Sequence, residues 1–142
     1  MSPKQKVLDV MKANHLCVLS SLGTDGEPQS AIVGFAEDEN GWLVIGTSKL
    51  SRKYQNITHD PRVSIVIGWD ERKTVQYQGL ASEAFNGERD KYCELHVSKH
   101  PSNARFKNNA DNVYFLIKPT WVRFTDTSVL PWEITEAKEM LA

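Results

Sequence analysis

The sequence predicts a mainly β, α+β domain: an antiparallel sheet closed into a barrel, with helices at its periphery. Three observations carry that expectation. Strand-length apolar runs, about seven of them, follow one another in hairpin order. Short turns rich in Gly, Asp and Asn separate them, and neighbours joined this way pair antiparallel. The chain has neither a GxGxxG stretch nor an alternating strand-helix rhythm, which disfavours a parallel nucleotide-binding sheet. Closure into a barrel removes the open edges that such strands would otherwise expose.

The elements follow in order. Ser2-Pro3 provides an N-cap and first helical position, and Val7, Leu8, Val10 and Met11 give a first helix its apolar face up to Asn14. Residues 16–21 form an apolar run, Gly23-Thr24-Asp25-Gly26 a turn, and residues 30–35 a second run, together a β-hairpin. After the turn at residues 38–41, a third strand runs from Trp42 to Thr47. A short helix from Ser51 carries Tyr54 and Ile57 three apart and stops at Asp60-Pro61, because proline cannot continue it. Residues 62–69 read as a strand apolar on both faces and therefore buried on both. Residues 74–81 return with clean alternation. Residues 86–98 form the best long helix, with Tyr92, Leu95 and Val97 inward, and a short helix follows at residues 100–106. Two more strands, 113–118 and 121–124, are separated by Pro119-Thr120, and the chain finishes with Pro131-Trp132-Glu133-Ile134 and a charged tail.

At 142 residues the chain has the length of one domain, 1–142, and is short for two. Its 17 Lys and Arg against 18 Asp and Glu leave a net charge of −1, which removes any bulk electrostatic case for nucleic acid or an anionic membrane as partner. An anion site here has to be local. The first segment lacks the uninterrupted apolar core of a signal peptide, and the longest apolar runs are of strand length, so a cytoplasmic protein is expected. Cys17 and Cys93 form no CxxC motif, which fits structural thiols in a reducing compartment.

The stretch with the most chemistry is residues 43–56, LVIGTSKLSRKYQN. Gly46 allows close backbone approach, Thr47, Ser48 and Ser51 bring hydroxyls, and Arg52 and Lys53 place two cations in the first turn of a helix whose free N–H groups favour anions. Those are the parts of a phosphate grip, although the pattern is not a P-loop, and a strand, a loop and a solvated helix start is the plainer reading. Cys93, His96 and His100, at i, i+3 and i+7, share a helix face and are all zinc-binding types. No fourth ligand accompanies them, and packing plus solvated imidazoles accounts for the spacing. Trp132 lies outside any evident strand beside Pro131, which gives it the strongest claim among the tryptophans to a functional role.

With this order laid out, the chain resembles the pyridoxamine 5′-phosphate oxidase-like proteins, which share the FMN-binding split β-barrel. The resemblance is carried by Thr47, Ser51-Arg52-Lys53, Asp60-Pro61, Trp69 and Gly79, and is most specific over residues 41–79. It implies a homodimer with FMN at the subunit interface and a small-molecule substrate. It also implies roles: Arg52 and Lys53 on the FMN phosphate, helped by Thr47 and Ser51; the strand from Gln29 to Val33, with Ser30, Ala31, Ile32 and Val33, alongside the flavin ring and offering its backbone to the ring's polar edge; Thr74 where the oxidase carries Gln; and Trp132 as the partner subunit's aromatic contribution. The oxidase's Arg at the start of the strand Pro28-Gln29-Ser30, its Lys at the position of Val33 and its C-terminal Arg-x-His-x-Arg are absent. Vitamin B6 oxidase activity is therefore not expected, and the likeness is closer to the short stress-protein-like branch. Flavins carry their own redox chemistry, so no catalytic acid or base is required. A non-catalytic flavin, deazaflavin or haem module on the same fold is the alternative.

Overall fold

The computed structural model describes residues 1–141. The elements run α1 (Pro3–Ala13), β1 (Leu16–Leu22), β2 (Pro28–Glu37), β3 (Leu43–Ser48), α2 (Arg52–His59), β4 (Arg62–Ile67), β5 (Lys73–Glu83), α3 (Asn86–Lys99), a 3-10 helix (Pro101–Phe106), β6 (Asn112–Asp126) and β7 (Glu133–Glu136), before a last 3-10 turn (Lys138–Leu141). All pairings are antiparallel, in the order β3-β2-β1-β4-β5-β6-β7, and β3 also pairs with β6. Six strands thus close into a barrel, and β7 extends the sheet beyond it. The sequence-based fold class is the observed one.

Alternation builds the interior. Cys17 and Leu19 of β1, Val33 and Phe35 of β2, Leu43 and Ile45 of β3, and Val63, Ile65 and Ile67 of β4 all point into one core. Tyr77 lies in it fully buried, its hydroxyl placed to donate at 3.1 Å to the carbonyls of Gly41 and Ile117. The Ser2 hydroxyl caps α1 by accepting from the Gln5 N–H, and Val7, Val10 and Met11 add that helix's apolar stripe to the core. The other long helix, α3, covers the outer face of β3 and β6 with Tyr92 and Cys93 against Val44, Tyr114 and Leu116.

Four expectations are corrected. Residues 113–118 and 121–124 are one strand, β6. Its register against β5 shifts between Gln78 and Gly79, so Thr120 is the extra residue and Pro119 sits at the irregularity. A bulge tolerates the missing N–H that makes proline look like a strand end. β4 is not buried on both faces: it alternates, with Ser64 exposed and Val66 half-buried on the outside, and it ends at Ile67, leaving Trp69 exposed. The buried face of α3 is Tyr92, Cys93 and His96, while Leu95 and Val97 are only half-buried. Finally, Glu133–Glu136 pairs with β6, and the charged tail is anchored through buried Ala137 and Met140.

The closed barrel has one incomplete seam. β2 pairs with β1 along residues 28–34, but with β3 only from Phe35 to Glu37. On its other edge β3 pairs with β6 along its whole length, from Leu43 opposite Ile117 to Ser48 opposite Asn112, so Gly46–Ser48 have left β2 but not β6. Residues 28–34 therefore face a split, and among the described residues no strand pairs with their second side.

Candidate functional site

The split is where the chemistry collects. The Phe35 N–H donates to the His15 carbonyl, so the odd-numbered residues of β2 bond to β1. The even-numbered Ser30, Ile32 and Gly34 consequently turn their N–H and C=O groups into the split. An unpaired edge of this kind is a ready hydrogen-bonding template for a planar ligand.

At one end of this edge lies α2. Ser51 is its N-cap: the hydroxyl accepts from the Tyr54 N–H at 3.3 Å and donates to the Ser48 carbonyl at 2.8 Å. Thr47 Oγ1 lies 3.0 Å from Ser51 Oγ, and since the Ser51 proton is already given to Ser48, Thr47 is the donor in that pair. Both hydroxyl protons are spent shaping the turn. What remains for an anion is the side chains of Arg52, exposed, and Lys53, half-buried, with the first-turn N–H groups of the helix behind them.

Arg52 and Lys53 open onto a cleft of about 250 Å³ that they share with Ser21, Gln29, Ser30 and Ala31. Asn56 forms its floor. This side chain is 5% exposed, and its Nδ2 donates to Ser21 Oγ at 3.1 Å and to Gln29 Oε1 at 2.9 Å, tying α2 to β1 and β2. Sequence reasoning missed Asn56, although it stands four residues after Arg52 and three after Lys53 and so shares their helix face. Tyr54, one residue past the cations, donates to Glu83 at 2.9 Å, and that carboxylate raises the phenol's pKa.

The other end of the edge is closed by α3. His96 Nε2 lies 3.3 Å from the Gly34 carbonyl and His100 Nε2 lies 2.7 Å from the Phe35 carbonyl. A carbonyl only accepts, so both imidazoles carry their proton on Nε2 in these bonds. The rings stack at 4.7 Å, with His15 edge-on to His100 at 5.8 Å. Burial pushes the His96 pKa down to about 4 against the help of the Gly34 carbonyl, and the charges of His100 and Lys99 add to the depression. Its Nδ1 is buried without a partner among the described residues. Lys99 anchors the helix end by donating to the Met11 carbonyl at 2.8 Å and pairing with Glu37.

The expected residues divide accordingly. Ser30, Ala31, Arg52 and Lys53 meet in one cleft; Ile32 turns its backbone to the split while its side chain points outward, 65% exposed, and Val33 bonds to β1 and is buried in the core. Gly46 does not open a path for a ligand at the grip: a Cβ there would stand 3.2 Å from the Tyr114 ring, so the missing side chain makes room for that aromatic. Gly46 and Thr47 instead border a second cleft with His96 and Tyr114. Thr74 is opposite Thr125, which is opposite Ile134, so Thr74 and the exposed Trp132 share the β5-β6-β7 end and neither lines the grip cleft of its own chain. Cys93, His96 and His100 do not converge. Cys93 Sγ donates to the Tyr114 hydroxyl at 3.3 Å while the two imidazoles serve carbonyls, and among the described residues no three metal-binding side chains cluster.

Comparison with known proteins agrees with this fold. A pyridoxine/pyridoxamine 5′-phosphate oxidase of Cyanothece sp. is 27% identical over 85 residues, 59% of this chain and 39% of that protein. This chain therefore aligns with well under two thirds of that relative. Among solved structures, a haem-binding protein from Mycobacterium smegmatis superposes with a TM-score of 0.84 at 19% identity, over 99% of this chain and 60% of the other. General stress protein 26 from Bacillus anthracis str. Sterne gives 0.74 at 22% identity, over 96% and 99%. At these identities the structural likenesses establish the fold. The family profile described as pyridoxamine 5′-phosphate oxidase matches residues 3–126, most of this chain, and the chain belongs to that family.

Proposed function

We propose that this protein binds FMN, with the phosphate on Arg52 and Lys53 and the flavin ring along the free edge of β2, and acts as an oxidoreductase on a small molecule. The observation that carries this reading is the cleft in which the two cations of α2 meet Gln29, Ser30 and Ala31 of an unpaired strand edge. The donor set fits the ligand. Two cationic side chains and helix N–H groups suit a dianionic phosphate, while alternating backbone N–H and C=O groups suit the polar rim of a flavin. Bound FMN supplies hydride and electron transfer; the chain binds, orients and shields it.

The same reading makes the protein a homodimer. Ile32, Val18 and Val66 stand side by side across β2, β1 and β4 on the outer face of the barrel, and Ile32 is 65% exposed. That row continues through Gln76 to Arg123, whose Nε is buried with no partner. Exposed apolar area on the outer face of a barrel is what a second subunit would cover. In this arrangement Thr74 and Trp132 reach the cofactor only from the partner subunit.

The test is a visible-absorption titration with FMN on the wild-type protein and on Arg52→Ala/Lys53→Ala. Each charge-assisted bond contributes roughly 1.5–3 kcal/mol when shielded, so the double variant should weaken FMN by about a hundredfold or more. Saturable binding that survives the double substitution refutes the grip. A haem module is the second reading, favoured by the likeness to the mycobacterial haem-binding protein. Soret absorption after incubation with haem, with no uptake of FMN, would replace the first reading by the second.

A further inference from the structure

The second cleft beside the split has a chemistry unlike that of the grip. It encloses about 420 Å³ over Gly46, Thr47 and Ser48, with Tyr114 and His96 behind them. Asn103, Asn109 and Asn112 bring three carboxamides to its wall, and Asp111 is the one carboxylate; no Lys or Arg lines it among the described residues. Asn112 uses its Nδ2 on the Tyr114 hydroxyl at 3.0 Å, which leaves its side-chain oxygen as the free, accepting end. Arg89 lies behind Tyr114, 5.3 Å from the ring centre, but its guanidinium is given to the carbonyls of Lys107 and Asn112 at 3.1 and 3.0 Å. Burial holds His96 neutral down to about pH 4, so it adds no cation at ordinary pH.

We propose that this cleft is the substrate subsite, and that it selects a small aromatic or heteroaromatic amine or amide, uncharged or cationic, and rejects carboxylates and phosphate esters. The assignment as a substrate subsite rests on the flavin reading; the selectivity rests on the cleft alone. An anion entering here meets one like charge and only neutral donors, so its desolvation is uncompensated. A ring with N–H donors meets the exposed Phe106 ring, the side-chain oxygens of Asn103 and Asn112 and the Asp111 carboxylate, with buried Tyr114 as the backing of the cleft. The two ends of the split are thereby complementary: a cationic one for a phosphate and a neutral-to-acidic one for the molecule that reacts.

Four aromatic probes test this: the isosteric benzamidine, benzamide and benzoate, and the larger phenyl phosphate, each titrated into isotope-labelled full-length protein and followed by the His96 ring and Asn112 side-chain amide resonances. Benzamidine and benzamide should shift both saturably, with benzoate and phenyl phosphate at least tenfold weaker. Asp111→Lys should reverse the order of benzamidine and benzoate. Benzoate or phenyl phosphate binding as tightly as benzamidine overturns the proposal, as does the absence of any shift with all four. An FMN titration on the same sample separates the two ideas. FMN uptake without probe selectivity refutes the cleft assignment alone, whereas probe selectivity without FMN uptake supports the selectivity and refutes the flavin reading.

Discussion

Replacing Asn56 by alanine tests how the grip is held. The wild-type amide donates twice, to Ser21 Oγ and Gln29 Oε1, from a side chain that is 5% exposed. Each such bond contributes about 0.5–1.5 kcal/mol net, so losing both should destabilise the fold by about 2 kcal/mol. Ser21 is itself buried and is left short of a donor, whereas Gln29 faces the cleft and recovers water; most of the loss therefore sits in the Ser21 bond. With a urea m-value of roughly 2 kcal/mol per molar, the midpoint of unfolding should fall by about 1 M. A cycle with Ser21→Ala should give a coupling of about 1 kcal/mol, because the two side chains touch. FMN affinity should fall with Asn56→Ala as well, since Gln29 is released at the rim of the cleft. A destabilisation below about 0.5 kcal/mol with no coupling to Ser21 would refute the claim that this network joins α2 to the hairpin.

Acid should loosen the α3 latch. His96 is neutral in the fold, with a pKa of about 4 against an ordinary value of 6.5, so the unfolded chain binds more protons between those values. Stability should therefore decline as the pH is lowered from about 6.5 to 4, by up to about 3 kcal/mol, with little further His96 contribution below that. Denaturant titrations across this range should show the slope, and His96→Gln should flatten it; an unchanged slope in the variant refutes the assignment. Gly79→Ala should be more damaging, because a Cβ there would stand 2.6 Å from the Lys118 carbonyl oxygen and 2.8 Å from Ile117 Cγ2 at the bulge. Backbone cannot yield as a side-chain tip can, so a loss of about 3 kcal/mol is expected, read as a fall in Tm or as insoluble protein. A Tm within about 2 °C of wild type would show that the bulge adapts.

Much of the site was legible before its geometry was known, and the reasons are local. Ser51 announces a helix start and Pro61 its stop, so Arg52 and Lys53 could be assigned to a first turn from spacing alone. Asn56 shares their face at helical spacing, yet nothing in its identity says that Ser21 and Gln29 lie within reach, because those partners are 35 and 27 residues away. The same holds for His96 and His100. Their helical spacing suggested a shared ligand, while their partners turned out to be carbonyls 62 and 65 residues distant on β2. Gly46 looked like a ligand approach because glycine tolerates any neighbour, and only the position of Tyr114 shows which neighbour uses the space.

The sequence by itself determined the antiparallel barrel, the helix that carries the cations and the family, since these follow from periodicity, caps and a short run of motif residues. The tertiary structure alone decided that β2 leaves β3 after three residue pairs, that the open edge lies between a cationic and a neutral-to-acidic cleft, and that Pro119 sits within a strand rather than ending one. The physical reason is range. Turns and helix ends are fixed by neighbours a few residues apart, whereas a split in a barrel exists only where strands distant in sequence stop pairing, and hydrogen bonds between distant strands leave no periodic trace in the residues that make them.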